Sequence, residues 1–319
     1  MNRRRLTLNT RSSRVRSPRK RRRLKHIAVL PSLVTLMNGL CGFTAIFLAS
    51  QGLDAAWEPD MFPDTRLSFF ALAGYMIFLG MVADVLDGHI ARISKSTSSF
   101  GAQLDSLCDV ITFGVAPAFL MVKLVEAYSH HLAFASRGFV LMPERVVYLA
   151  AVVYVMCAII RLARFNVESK NDNNHLGFVG LPSPPAAGVI VSIVVFQQDF
   201  LPRIAMHGFI DGWFATATAG ILFMLPFVTV IAGILMVTRI PYPHVVNRIL
   251  RGKKRFSTFL IILFVLPLMI WNIQLTMAVG FCLFVLYGLG RWLFVITFLR
   301  KRKRADAERS VEKNLGSGI

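Results

Sequence analysis

Charged residues are scarce in this chain, and acidic residues are the scarcest. Only 17% of its 319 residues are charged, and 17 acids face 36 lysines and arginines. Hydrophobic residues make up 55%, and the mean hydropathy of +0.58 lies outside the usual range of soluble globular proteins. The composition therefore excludes an ordinary soluble domain and predicts an integral membrane protein.

Two further absences narrow the class. The four cysteines stand singly in apolar segments, without CxxC spacing or a neighbouring histidine cluster, which argues against a disulfide framework or a zinc site. No apolar run alternates with polar residues as the strands of a membrane barrel do. Because lipid cannot hydrogen-bond backbone groups, helices are the expected membrane-spanning structure.

Long apolar runs fill most of the chain. A helical crossing of the bilayer needs roughly 20 mostly apolar residues. Eight runs approach this requirement: Ile27–Ala49, Leu67–Leu86, Leu104–Val125, Val146–Leu162, Leu181–Phe196, Phe214–Val237, Phe259–Trp271 and Leu275–Leu299. The sequence thus predicts an all-α fold, a polytopic transmembrane helical bundle of about eight spans.

The positions of lysine and arginine predict the orientation of these spans. Twelve of them and no acid precede the first run, whereas the following loop, DAAWEPDMFPDTR, is acidic up to Arg66. With eight spans, the later basic loops and the C-terminal basic stretch share the side of the N-terminus. Both termini are therefore predicted to be cytoplasmic. We expect a basic disordered tail at 1–26, a membrane domain at 27–300 and a charged tail at 301–319.

The arginine blocks of the first tail do not predict nucleic-acid binding. Arg3–Arg5 and Arg19–Arg23 stand beside a first membrane span, where basic residues set topology and contact anionic lipid headgroups. The tail is also rich in arginine and serine and contains no acid, as organelle transit peptides are. Its arginine blocks, however, have no clear apolar face. Membrane lipid is the predicted partner.

Four aspartates lie between two apolar runs, in the stretch ADVLDGHIARISKSTSSFGAQLDSLCDV. Asp84 and Asp87 are three residues apart at the cytoplasmic end of the second run, and Asp105 and Asp109 are four apart at the start of the third. Helical geometry places each pair on one face. Two facing helices would bring four carboxylates into a small volume, which persists only if some ionise poorly or cations lie among them.

This arrangement predicts a binding site for a divalent cation and phosphate. A site with only oxygen ligands favours Mg²⁺ or Mn²⁺ over zinc. Acidic residues within a membrane protein are costly, and they are therefore expected to serve a function. Gly88, Ala91 and Gly101 keep small residues near the acids, so that a ligand can approach the backbone. The alternative is that the aspartates are helix caps that pair with nearby cations. This would explain a single aspartate better than four at this spacing.

The stretch resembles, without a mismatch, the signature of the CDP-alcohol phosphatidyltransferases. The matching positions are Asp84, Asp87–Gly88, Ala91–Arg92, Gly101, Asp105 and Asp109. The resemblance implies transfer of a phosphatidyl group from a CDP-linked lipid to an alcohol, with release of CMP, in a helical bundle open to the cytoplasm.

The resemblance also assigns roles to residues. The four aspartates are expected to hold one or two Mn²⁺ or Mg²⁺ ions, and Asp109 is expected to be the general base. The expected CDP-lipid contacts are Gly88, Ala91, Arg92, Gly101 and Asn38. Asn38 is a single polar residue inside the first span, so interhelical hydrogen bonding is its other interpretation. Transfer is expected to be direct, because no serine, cysteine or histidine in the stretch has an evident base partner.

Further segments resemble the bacterial and archaeal phosphatidylserine synthases of this family. They are LPSLVTLMNGLCGFTAIFLA, SLCDVITFGVAPAF, RLARFNVE, GFVGLPSPPAA and MVTRIPYPH, and the resemblance covers roughly Leu30 to Tyr242. The resemblance implies CDP-diacylglycerol and L-serine as substrates, a homodimer, and a bacterial inner membrane with the active site facing the cytoplasm. Arg161 and Arg164 are candidates to bind phosphate or the serine carboxylate, although basic residues at this position also serve as membrane anchors.

Other functions remain alternatives on the sequence alone. Glycerol 3-phosphate or inositol phosphate would be acceptors within the same family. A cation or proton transporter would also use carboxylates, but it would distribute them through the membrane, whereas here they gather at one end. A scaffold has no need of acids in this register.

Overall fold

The computed structural model describes residues 21–54, 68–94, 99–135, 143–168, 180–202, 211–238, 240, 263, 265–290, 292 and 294. These residues are helical apart from short connections, so the predicted all-α class is confirmed. The helices are α1 (Arg21–Asp54), α2 (Phe69–Ser94), α3 (Ser99–Asp109), α4 (Ala116–Ala135), α5 (Glu144–Glu168), α6 (Ser183–Val195), α7 (Asp211–Val237) and α8 (Ile273–Gly290). Helix α1 begins inside the stretch predicted as the basic tail, whose residues 1–20 lie outside the described residues.

Two π-helical turns extend these helices. Val110–Val115 joins α3 to α4, so that the predicted third span is one helix with a wide turn near its start. Phe196–Phe200 continues α6. Neither turn is visible in the hydrophobic pattern, because one extra residue per turn hardly alters an apolar run.

Six helices of the described chain are long and apolar enough to cross a membrane. They are Ser32–Gly52, Phe69–Ile90, Phe100–Ser129, Glu144–Val167, Thr216–Val237 and Ile273–Gly290, and each overlaps one predicted run. The predicted runs Leu181–Phe196 and Phe259–Trp271 are not among the six. Helix α6 is only 13 residues long before its π-helical continuation, and the other run is described only at 263 and 265–271. The count of eight stays a prediction.

Helices α1, α2 and α3 pack closely where the π-helical turn begins. Gly42 on α1 and Gly80 on α2 both face Thr112, and a Cβ atom at either position would lie within 2.6 Å of a Thr112 side-chain atom. The absence of a side chain at both glycines therefore lets three helices meet at one threonine. On the outer face of α1, Leu40 and Phe43 are more than half exposed, as expected of a surface that faces lipid.

The start of α6 is attached to the end of α7. The Gly180 N–H donates to the carbonyl of Ile240 at 2.9 Å, and the Leu181 N–H donates to the carbonyl of Leu235 at 3.1 Å. Gly180 has a φ of 104°, and a Cβ atom there would lie 2.5 Å from the Met236 carbonyl oxygen, so only glycine suits this position. The attachment fixes Ser183, the first residue of α6, beside the C-terminal end of α7.

A buried polar cluster lies beyond the C-terminal end of α6, in its π-helical continuation. The Tyr75 hydroxyl and the Gln274 amide each donate to a carboxylate oxygen of Asp199 at 2.7 Å. Asp199 and Gln274 are buried, and the cluster connects α2, the second π-helical turn and α8. Asp199 is 16 residues beyond Ser183, which corresponds to about 24 Å along a helix. The cluster is therefore remote from the first residues of α6.

Candidate active site

Three of the four motif aspartates converge in the structure. Asp84 comes from α2, and Asp105 and Asp109 come from successive turns of α3. One carboxylate oxygen from each lies within 4.8 Å of the others. The i, i+4 spacing on α3 and the packing of α2 beside it produce this convergence.

The cluster concentrates negative charge. At 4.8 Å, two ionised carboxylates repel by about 3 kcal/mol when the effective dielectric constant is about 20. Arg161 on α5 interacts electrostatically with Asp84 and Asp109 and offsets part of this repulsion. One arginine does not balance three ionised acids, so the cluster calls for bound protons or additional cations. Carboxylate oxygens without nitrogen or sulfur ligands suit Mg²⁺ or Mn²⁺.

Asp87 stands beside this cluster rather than in it. Its carboxyl is hydrogen-bonded by the Thr35 side chain and the Gly88 backbone, and it interacts electrostatically with Asp84 and Asp105. The side chain is 5% exposed, and its Oδ2 atom has no hydrogen-bond partner among the described residues. A buried carboxylate oxygen without a partner is costly, and it is an available ligand for a cation.

Asn38 contacts Asp109 directly. Its Nδ2 donates to Asp109 Oδ1 at 3.1 Å, and both residues are buried. The Thr112 hydroxyl donates to the backbone carbonyl of Asn38 at 2.8 Å. Asn38 thus makes the interhelical hydrogen bond that was one of its two interpretations, while its predicted contact with the CDP-lipid stays a prediction.

The π-helical turn begins immediately after Asp109. The Ala116 N–H donates to the Ile111 carbonyl, five residues back, as in a π-helix. The Tyr154 hydroxyl, fully buried on α5, donates to the Phe113 carbonyl of this turn at 2.8 Å. Such turns occur frequently at functional sites. The wide turn and the tyrosine that contacts it were missed by sequence reasoning.

Arg161 lies between the aspartates and the start of α6. Its guanidinium donates to the Ser183 hydroxyl, and it is partly buried. Arg164 is one turn further along α5 and is also partly exposed. The structure therefore places Arg161 at the carboxylate cluster, on the side where the sequence predicted a cationic site.

Ser106 and Asn166 form another contact between α3 and α5. The Asn166 amide donates to the Ser106 hydroxyl at 2.9 Å, and Ser106 directly follows Asp105 in the sequence. Sequence reasoning missed this pair and Thr35, because single polar residues near helix ends give no signal of their partners. The motif aspartates were found because their spacing is itself the signal.

The remaining predicted contacts differ in what the structure describes. A Cβ atom at Gly88 would meet no atom of the described residues within 4 Å, so open space lies beside Asp87 in this part of the structure. Gly101 is partly exposed on α3. Ala91 and Arg92 continue the backbone of α2, and their side chains lie outside the described part of the chain.

Comparisons with known proteins show the family to which the chain is similar. A family model described as CDP-alcohol phosphatidyltransferase matches residues 28–239. CDP-diacylglycerol–serine O-phosphatidyltransferase of Helicobacter pylori strain J99 is 27% identical over 88% of this chain and 97% of its own length. The protein of the same name in Methanocaldococcus jannaschii is 28% identical over 71% of this chain and 79% of its own.

A relative with a different name extends the comparison. Archaetidylserine synthase of Methanothermobacter thermautotrophicus is 29% identical over 70% of this chain and 73% of its own length. The family match covers all four aspartates, Asn38, Arg161 and Ser183. The chain belongs to the CDP-alcohol phosphatidyltransferase family.

Proposed function

We propose that this protein transfers the phosphatidyl group of CDP-diacylglycerol to L-serine, giving phosphatidylserine and CMP. The observation that carries the proposal is the convergence of Asp84, Asp105 and Asp109 within 4.8 Å, in the family signature and beside Arg161. Serine as the acceptor is supported by the names of the H. pylori and M. jannaschii relatives.

Asp109 is the proposed general base. In the reaction, the serine hydroxyl oxygen forms a bond to the lipid-side phosphorus, the bond from that phosphorus to the CMP oxygen breaks, and CMP leaves with the electron pair. The serine hydroxyl proton moves to the Asp109 carboxylate. Asn38 holds Asp109 Oδ1, so Oδ2 is the oxygen proposed to accept the proton. No covalent enzyme intermediate is needed.

The carboxylates also form the proposed metal site. The family generally uses divalent cations. Asp84, Asp105 and Asp109 supply converging oxygens, and Asp87 supplies a buried oxygen that has no hydrogen-bond partner among the described residues. Bound Mg²⁺ or Mn²⁺ would neutralise the charge that develops on the phosphates of the CDP-lipid. Without such a cation, the carboxylates would repel the pyrophosphate that they are proposed to receive.

Arg161 is the proposed anion-binding residue. It reaches the carboxylate cluster electrostatically and is oriented by its hydrogen bond to Ser183. A guanidinium at this position suits either a lipid phosphate or the carboxylate of serine. Arg164, one turn away, would extend the same cationic surface.

The open space beside Gly88 is the proposed site of the cytidine nucleotide. We expect Gly88→Leu to raise KM for CDP-diacylglycerol by about tenfold or more, because the new side chain would occupy this space. The measurement is CMP release at varied CDP-diacylglycerol concentration. Gly280→Leu on α8 is the matched control, since a Cβ atom there also meets no described atom within 4 Å. An unchanged KM in Gly88→Leu would place the nucleotide elsewhere.

We further propose eight crossings, with the site and both termini on the cytoplasmic face of the bacterial inner membrane. The direction of α8 supports this count. Gln274 at its start contacts Asp199, whereas Ile240 contacts Gly180 near the opposite end of α6. The chain between Ile240 and Gln274 would then pass from one end of the bundle to the other, and the helical residues 265–271 lie in this segment. A homodimer stays a prediction from the resemblance.

The proposal is tested by CMP release from the purified protein in detergent. With CDP-diacylglycerol and Mn²⁺ or Mg²⁺, we expect CMP release only when L-serine is present. We expect this release to stop when EDTA is added. Release with glycerol 3-phosphate or inositol phosphate in place of serine would keep the family and change the acceptor. If none of these alcohols supports CMP release, the proposed transferase function is contradicted and cation transport becomes the alternative.

A further inference from the structure

The turn that follows Asp109 is held from two sides by hydroxyl groups. On one side, Thr112 on the π-helical turn donates to the Asn38 carbonyl, and Asn38 in turn donates to Asp109. On the other side, Tyr154 donates to the Phe113 carbonyl of the same turn. Thr112, Asn38 and Tyr154 are all 0% exposed.

We propose that Thr112 and Tyr154 are positioning residues for Asp109, with Thr112 acting through Asn38. The inference rests on the proposed role of Asp109 as general base. Neither residue needs to touch a substrate. Together they fix where the Asp109 carboxylate lies relative to Asp84 and Asp105.

The Thr112 arm has little freedom to move. Gly42 and Gly80 let α1 and α2 close around Thr112, and a side chain at either glycine would collide with it. The Asn38 backbone is therefore held at a fixed distance from the turn. Because the Asn38 amide is on the same residue, its hydrogen bond fixes one oxygen of Asp109 and leaves the other for the proton of the acceptor.

The Tyr154 arm fixes the turn itself. A π-helical turn interrupts the regular α-helical hydrogen-bond ladder, and a carbonyl that loses its backbone partner there needs another partner in a buried, apolar environment. Tyr154 supplies one to Phe113, and it comes from α5, the helix that also carries Arg161. The tyrosine thus connects the position of the proposed base to the position of the proposed anion-binding arginine.

Removing either hydroxyl should reduce turnover more than binding. We expect Thr112→Val and Tyr154→Phe each to lower kcat by about 10–100-fold, because a displacement of about 1 Å at a reacting group can cost 10²-fold in rate. KM for serine and for CDP-diacylglycerol should change little, since the changed groups are not proposed to contact either substrate. Thr112→Ser keeps the hydroxyl and should restore most of kcat.

Matched controls separate positioning from packing. Thr44→Val removes a hydroxyl that donates only to Leu40 of its own helix among the contacts described, and Tyr148→Phe removes one from a 48% exposed tyrosine on α5. Both should keep wild-type kcat. The melting temperature of each variant in detergent is measured alongside, and if Tyr154→Phe does not fold, the Thr112 variants decide.

Three results would overturn the inference. One is wild-type kcat in both Thr112→Val and Tyr154→Phe. Another is a loss of kcat in Thr112→Val that Thr112→Ser does not restore, which would indicate a packing role. A third is an increase of KM without a change in kcat. If Asp109→Asn is itself active, the proposed base fails first, and that variant distinguishes the two failures.

Discussion

Asp109→Asn should lower serine-dependent CMP release by about 10²–10⁴-fold, the range that a positioned general base contributes. Asparagine has nearly the same shape, and its amide oxygen can keep the hydrogen bond from Asn38. It cannot accept the proton of the serine hydroxyl. We expect binding of CDP-diacylglycerol, measured by equilibrium dialysis with Mg²⁺ or Mn²⁺, to stay close to that of the wild type.

Asp199→Asn is the matched control for this variant. Asp199 is also buried, at 3% exposed, but it lies at the far end of α6 from Ser183 and contacts Tyr75 and Gln274. Its replacement removes a buried carboxylate without touching the proposed site, so CMP release should remain near the wild-type rate. Near-normal release by Asp109→Asn would show that another group takes the proton.

The part of the site that could be predicted is the part encoded by local spacing. Asp105 and Asp109 share a face because they are four residues apart on one helix, and Asp84 joins them because α2 and α3 are consecutive in the chain. The all-helical class followed from the length of the apolar runs in the same way. These features depend on short stretches of sequence, which a pattern can capture.

What could not be predicted depends on contacts between distant segments. Tyr154 and Phe113 are 41 residues apart, and Gln274 and Asp199 are 75 apart. A single tyrosine or glutamine in an apolar run gives no indication of its partner. The π-helical turn could not be predicted for the same reason. Its Phe113 carbonyl accepts a hydrogen bond from a hydroxyl group on another helix.

Asp87 shows how the sequence and the structure complement each other. The motif places it among the metal ligands, whereas the structure leaves it outside the three oxygens that converge within 4.8 Å. Its two oxygens differ in environment: the carboxyl is hydrogen-bonded by Thr35 and Gly88, yet Oδ2 is buried without a partner among the described residues. This combination suits a ligand that is oriented through one oxygen and binds a cation through the other.

Asp87→Ala should therefore lower the affinity of the site for the metal ion, and this loss should exceed the effect of the smaller side-chain volume alone. We expect the Mg²⁺ or Mn²⁺ concentration for half-maximal CMP release to rise by about 10–100-fold, the loss in metal affinity found even for residues that only orient ligands. Metal-dependent binding of CDP-diacylglycerol should fall with it. Asp87→Asn keeps the volume and the contact with Thr35 but loses the charge. It therefore separates the effect of the lost charge from the effect of the lost volume.

The comparison of Asp87→Ala with Asp109→Asn separates the two proposed roles. Loss of metal-dependent lipid binding in the first variant, with binding retained in the second, is the pattern expected if the cation needs the charge of Asp87, whereas the charge of Asp109 is needed chiefly for the proton. Normal lipid binding and an unchanged metal titration in Asp87→Ala would remove Asp87 from the ligand set. The cation would then be assigned to the Asp84, Asp105 and Asp109 oxygens alone, which the structure already brings together.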